Sequence, residues 1–193
     1  MAYSRNNLIQ RRLQEMGEVY RFNFKSFLFR REQSVVTLEI RVRNIDLLRA
    51  EVFLDDIVCL AGEEFEIMSI ESLIALLYDD FLLHIRQGVD AEERDIEYEE
   101  VANSLINLRK KYYKRAGEDT EFRQVDKWLF YNLRLQRRQA LRGEVFIYDM
   151  QQLVPQMKIS VEDVISLLFL DFMANVRKGK QREMIKALLE RLN

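Results

Sequence analysis

The sequence predicts an α+β fold, with a small antiparallel sheet near the N-terminus followed by a helix-rich C-terminal half. Three observations point there. Apolar and polar residues alternate in VYRFNFKSFLF (19–29) and in VVTLEIRVR (35–43), the period of a half-buried strand. From residue 69 onward, apolar residues recur at three and four positions, the period of a helix. One proline and six glycines in 193 residues leave little material for long linkers.

Taken in order, SRNNLIQRRLQEMGE offers Ser4 as an N-cap, Leu8, Ile9, Leu13 and Met16 at helical spacing, and Gly17 as a stop, so a helix is expected over about 5–16. Tyr20, Phe22 and Phe24 then alternate with Arg21, Asn23 and Lys25. After the turn REQS, Val36, Leu38, Ile40 and Val42 alternate with Thr37, Glu39, Arg41 and Arg43. Two such runs fit a hairpin, whose apolar face needs further cover because an isolated hairpin is marginal. Residues 45–67 are ambiguous. Asp46 could cap a helix carrying Phe53, Ile57 and Leu60, or AEVFL could form a third strand.

Met68 or Ser69 opens a helix that Gly88 closes, and Asp90 with Glu93 matches a capping box for a helix ending near Gly117. Asp119 or Thr120 would cap the next helix, ending near Gly143. Residues 144–148 could be a short strand, or part of a helix stopped before Pro155. Ser160 and Asp163 form a second capping-box pattern. VEDVISLLFLDFMANVR is apolar almost all round, as in a central buried helix. Gly179 separates it from a final helix. Read linearly, the chain shows no repeat and no sustained heptad register. The expected division is an α+β region over 1–88 and an all-helical region over 89–193, able to share one core.

The net charge of −2 conceals segregation: +5 over residues 1–43, −14 over 44–100 and +7 over 101–193. Such lobes can balance one another, pair between subunits or meet separate partners. If 120–143 is one helix, Arg123, Lys127, Tyr131, Arg134, Arg138 and Arg142 form a basic ridge opposite Leu129, Leu133 and Ala140. That ridge suits a protein contact or a polyanion such as nucleic acid. It is also what any amphipathic helix shows to water. The aromatics Phe22, Phe24, Phe27 and Phe29 cover both faces of the first expected strand and suggest self-association.

The single histidine, His84, lies four residues after Asp80, one helical turn away. Two groups fall short of the three protein ligands a zinc site needs, so a partly buried His84 bonded to Asp80 is expected, with no metal and no cofactor. Cys59, between Val58 and Leu60, is expected in the core. The sequence carries neither GxxxxGK[ST] nor GxGxxG. No apolar core marks a signal peptide among the first twenty residues, and no run has membrane-spanning length, so a cytoplasmic protein is expected. The expected role is non-enzymatic: a regulatory, adaptor or assembly protein binding itself or another protein. A nucleic-acid-binding regulator using the ridge and a small enzyme with an unrecognised site are the alternatives.

Overall fold

VVTLEIRVR forms a strand, β1 (Val35–Arg43). In the computed structural model, which describes residues 7–21, 35–61, 68–87, 94–113, 127–180 and 183–186, its partner is WLFYNLRLQ, β2 (Trp128–Gln136). The two pair antiparallel along their whole length, from Val35 opposite Gln136 to Arg43 opposite Trp128. The sheet is antiparallel and starts near the N-terminus, and the rest of the described chain is mostly helical, so the fold is α+β.

Around the sheet lie α1 (Leu8–Arg21), α2 (Asn44–Ala61), α3 (Ile70–Gln87), α4 (Arg94–Tyr113), α5 (Arg137–Leu153) and α6 (Val161–Asn175). A π-type turn follows over Val176–Lys180, where Gly179 takes a positive φ of 84° and breaks the helical path as expected. The sheet takes one strand from each half of the chain, and the core draws on both halves.

Two local expectations change and two open alternatives resolve as helix. Val19 to Arg21 belong to α1, because one glycine at 17 costs a helix only about 1 kcal/mol. The rest of that run, including Phe22, Phe24, Phe27 and Phe29, lies outside the described residues. The ambiguous segment is helical from Asn44 to Ala61, not a third strand. Residues 128–136 form a strand where a helix was expected: Leu129 and Leu133 are four apart, which satisfies both periods, but Trp128, Phe130, Asn132 and Arg134 alternate with Leu129, Tyr131, Leu133 and Leu135. Finally, α5 starts at Arg137 and runs through Gly143 to Leu153, just short of Pro155.

The folded chain also contains the repeat that linear reading missed. The orders β1–α2–α3 and β2–α5–α6 are one arrangement used twice. Each nine-residue strand enters its helix with no loop. LRAEVF (48–53) recurs as LRGEVF (141–146), and SIESLIALLYDDF (69–81) recurs as SVEDVISLLFLDF (160–172). Ser69 and Ser160 cap α3 and α6 alike, accepting from the amides of Ser72 (3.0 Å) and Asp163 (3.2 Å), with the second cap a full capping box. Leu48 to Ser69 is 21 positions and Leu141 to Ser160 is 19, so no single offset aligns both blocks. In the ladder Glu39 faces Asn132, its own equivalent, so an approximate two-fold axis passes between them.

The repeats exchange their last helices across this axis. A two-stranded sheet exposes unpaired amides at both edges. The Arg41 amide donates to Ser166 Oγ on α6 (3.0 Å), while the equivalent Arg134 amide donates to Glu71 Oε1 on α3 (2.8 Å). Ser166 in turn donates to the Glu162 carbonyl (2.7 Å), so this buried hydroxyl is satisfied. Beneath the sheet, Leu38, Ile40, Val42, Leu133 and Leu135 are buried. Asp46 is fully buried and accepts from Arg43 Nε (2.5 Å) and Arg49 Nη1 (2.7 Å), fixing the strand-to-helix corner.

One packing difference distinguishes the repeats. At Gly143 an added Cβ would lie 1.8 Å from the Tyr78 hydroxyl. The equivalent positions hold Ala50 and Phe169, a side chain with one more carbon facing the register of a ring with one oxygen fewer. Gly143→Ala should therefore destabilise by about 1–3 kcal/mol. Adding Tyr78→Phe should restore most of that loss, because the pair then matches Ala50 and Phe169. Urea unfolding of the two single variants and the double variant measures this coupling.

Candidate functional site

The expected basic ridge does not form one stripe. Arg134 projects from the outer face of β2, whereas Tyr131, paired with buried Ile40, lies on the inner face and is half-buried. Burial, then the nearby Glu71 carboxylate, push the Tyr131 phenol above its ordinary pKa. Lys127 precedes the strand and is exposed, its amide donating to Asn44 Oδ1 (2.9 Å). Arg138 and Arg142 share an exposed side of α5, and Arg123 lies outside the described residues.

The sheet brings together what the helical reading kept apart. On its outer face Arg41 sits opposite Phe130, and Arg43 opposite Trp128. The Arg41 guanidinium lies 4.7 Å from the Trp128 ring centroid and 5.3 Å from that of Tyr113, and those two rings are 5.4 Å apart. A guanidinium held against a ring in this way keeps N–H groups for an acceptor. Phe130 is 60% exposed, and no acid among the described residues pairs with Arg41 or Arg134. The cross-strand pairing was the signal that sequence spacing could not supply.

A second exposed surface lies on α2. Phe53, Leu54 and Ile57 turn inward, which leaves Leu48 and Val52 each 54% exposed on the other side. Cys59 follows the outer stripe and is exposed. It was expected in the core, but it stands about 200° round the helix from Ile57. Flanking apolar residues say little in a helix, where neighbours i±1 point elsewhere.

The Asp80–His84 pair is on α3, as its spacing requires, but His84 is exposed rather than partly buried. Its repeat equivalent is Asp171 with Asn175, where Asn175 Nδ2 donates to Asp171 Oδ2 (3.3 Å). So the position that carries an imidazole in one repeat carries an amide in the other. Asp171 also accepts from Lys111 Nζ (2.8 Å) and Tyr112 Oη (2.7 Å), tying α4 to α6. Among the described residues no three side chains of His, Cys, Asp or Glu gather into a metal site. The described residues lining a shallow groove beside α4, such as Glu100, Ser104, Asn107 and Lys111, all come from that one helix. No described helix is long and apolar enough to cross a membrane. The chain matches no protein-family model, no curated protein and no solved structure.

Burial pushes the Asp171 carboxyl up, but hydrogen bonds from Lys111, Tyr112 and Asn175 outweigh it and hold the group below the usual carboxylate range. A depressed folded pKa contributes stability that is present above the unfolded value of about 3.9 and is lost as pH falls through the folded value. Chemical denaturation at pH 5 and pH 3 should show a smaller acid-side loss of stability for Asp171→Asn than for the native chain.

Proposed function

We propose that this chain is a non-enzymatic regulatory, adaptor or assembly protein that works through protein–protein contacts, with self-association among them. The observation that supports this most is the outer face of α2. Two large aliphatic residues, one turn apart, are more than half exposed on a well-formed helix whose other side is fully packed. Apolar side chains ringed by charge, here Glu51 and Asp55, are the pattern of a contact surface. Leu48→Glu with Val52→Glu should leave folding stability within about 0.5 kcal/mol per site, since neither residue is in the core. Sedimentation of the native chain at low and high salt should show an oligomer that the double variant lacks. A native chain that stays monomeric at all concentrations would count against self-association.

A second reading is favoured by a separate observation, the Arg41–Trp128–Tyr113 stack beside Phe130 and Arg134. An exposed ring, Phe130, beside half-buried Trp128 and the exposed Arg41 and Arg134 supplies the elements of a single-strand stacking platform. Trp128 is the only tryptophan, so its fluorescence reports on this face alone. On this reading a single-stranded oligonucleotide quenches Trp128 emission, with affinity falling steeply as salt rises. Phe130→Ala should cost about 1–3 kcal/mol of binding. Unchanged emission at low salt would remove this reading.

A further inference from the structure

The repeat supplies a comparison that a single surface cannot. In the second repeat, the outer side of α5 is occupied by the start of α1. Glu144 Oε1 accepts from the Leu8 amide (3.2 Å) and Glu144 Oε2 from the Ile9 amide (2.9 Å). These are first-turn amides, which have no partner within their own helix. A carboxylate there also meets the positive end of the helix dipole. The contact is dry: Glu144 is buried, Leu8 is fully buried, and Leu141 is half-buried.

In the first repeat the same receptor exists without a described occupant. LRAEVF on α2 differs from LRGEVF on α5 at one small residue. Phe53 is buried as Phe146 is, and Ile57 as Met150 is, so both helices present corresponding outer sides. Yet Glu51, the equivalent of Glu144, is exposed and makes no hydrogen bond or ion pair among the described residues, and Leu48, the equivalent of Leu141, is more than half exposed.

We infer that Glu51 and Leu48 form a receptor for the N-terminal turn of a helix from a partner protein. This inference rests on the protein-contact reading of the α2 face and names its chemistry. The ligand has uncapped amides in its first turn for the Glu51 carboxylate and an aliphatic residue there for Leu48, the pattern that Asn7, Leu8 and Ile9 present to Glu144. Val52 contributes less, because its equivalent Val145 stays exposed beside α1.

The probe is a labelled peptide of residues 5–21, RNNLIQRRLQEMGEVYR, added to the full chain and followed by fluorescence anisotropy. Saturable binding is expected. Glu51→Gln should weaken it about tenfold or more, in line with loss of charge-assisted hydrogen bonds, and Leu48→Ala should weaken it too. A peptide with Leu8 and Ile9 replaced by serine should bind poorly. No binding overturns the inference, as does equal binding to the native chain and to Glu51→Gln, which would place the peptide elsewhere, for example on α5 in exchange with α1. Circular dichroism melts of both variants check folding. Sedimentation stays a separate readout: an oligomer lost in the Leu48/Val52 double variant, with no peptide binding, keeps the protein-contact reading and removes this receptor.

Discussion

The antiparallel pairing of β1 with β2 about Glu39 and Asn132 is the constraint from which the rest of the structure follows. Two strands alone are marginal in water, because one face and both edges stay unsatisfied. Here each edge is met by a helix of the opposite repeat. Ser166 on α6 accepts the edge amide of Arg41, and Glu71 on α3 accepts that of Arg134. Neither repeat closes its own sheet, so each strand depends on both repeats. This explains why α6 is apolar almost all round: it lies against β1, α3, α4 and α5, and has little solvent side left.

The duplication also separates structural features from those that invite a partner. Where both repeats keep a feature buried, as with Phe53 and Phe146 or Ile74 and Ile165, packing accounts for it. Where the repeats share residues but differ in environment, the difference carries information. Glu144 is buried under the start of α1 while Glu51 faces solvent, although the helices around them are nearly alike. Where the residues differ and their environment is alike, as with Gly143 and Ala50, the change follows from a neighbour, here the Tyr78 hydroxyl that Phe169 lacks. His84 belongs to none of these cases: it is exposed, whereas Asn175 at its equivalent is half-buried and donates to Asp171.

The charge layout is only partly absorbed by the fold. Asp46 holds Arg43 and Arg49, and Asp171 holds Lys111. Arg109 is bound to the Lys158 carbonyl. Arg41, Arg134, Arg138 and Arg142 remain exposed without an acidic partner among the described residues, and Glu51 without a basic one. Arg138, in the first turn of α5, opposes the helix dipole. A local rule broken without internal compensation points outward, to a partner.

Elements with an unambiguous period were legible from the residues alone. The 2-residue alternation of β1, the capping box of Ser160 and Asp163, the buried helix after it, and the breaks at Ser69 and Gly179 follow from local backbone chemistry. The mixed class of the fold follows from them. Tertiary structure alone decided the partner of β1, because strand pairing joins residues nearly a hundred positions apart and no local period encodes it. It decided β2, where the spacing of Leu129 and Leu133 fits both a helix and a strand. It decided the exposure of Cys59, which depends on which side of α2 meets the core. And it revealed the repeat, because the identities are scattered along buried faces and interrupted by connections of unequal length, while the two-fold pairing of Glu39 with Asn132 brings equivalent positions together in space.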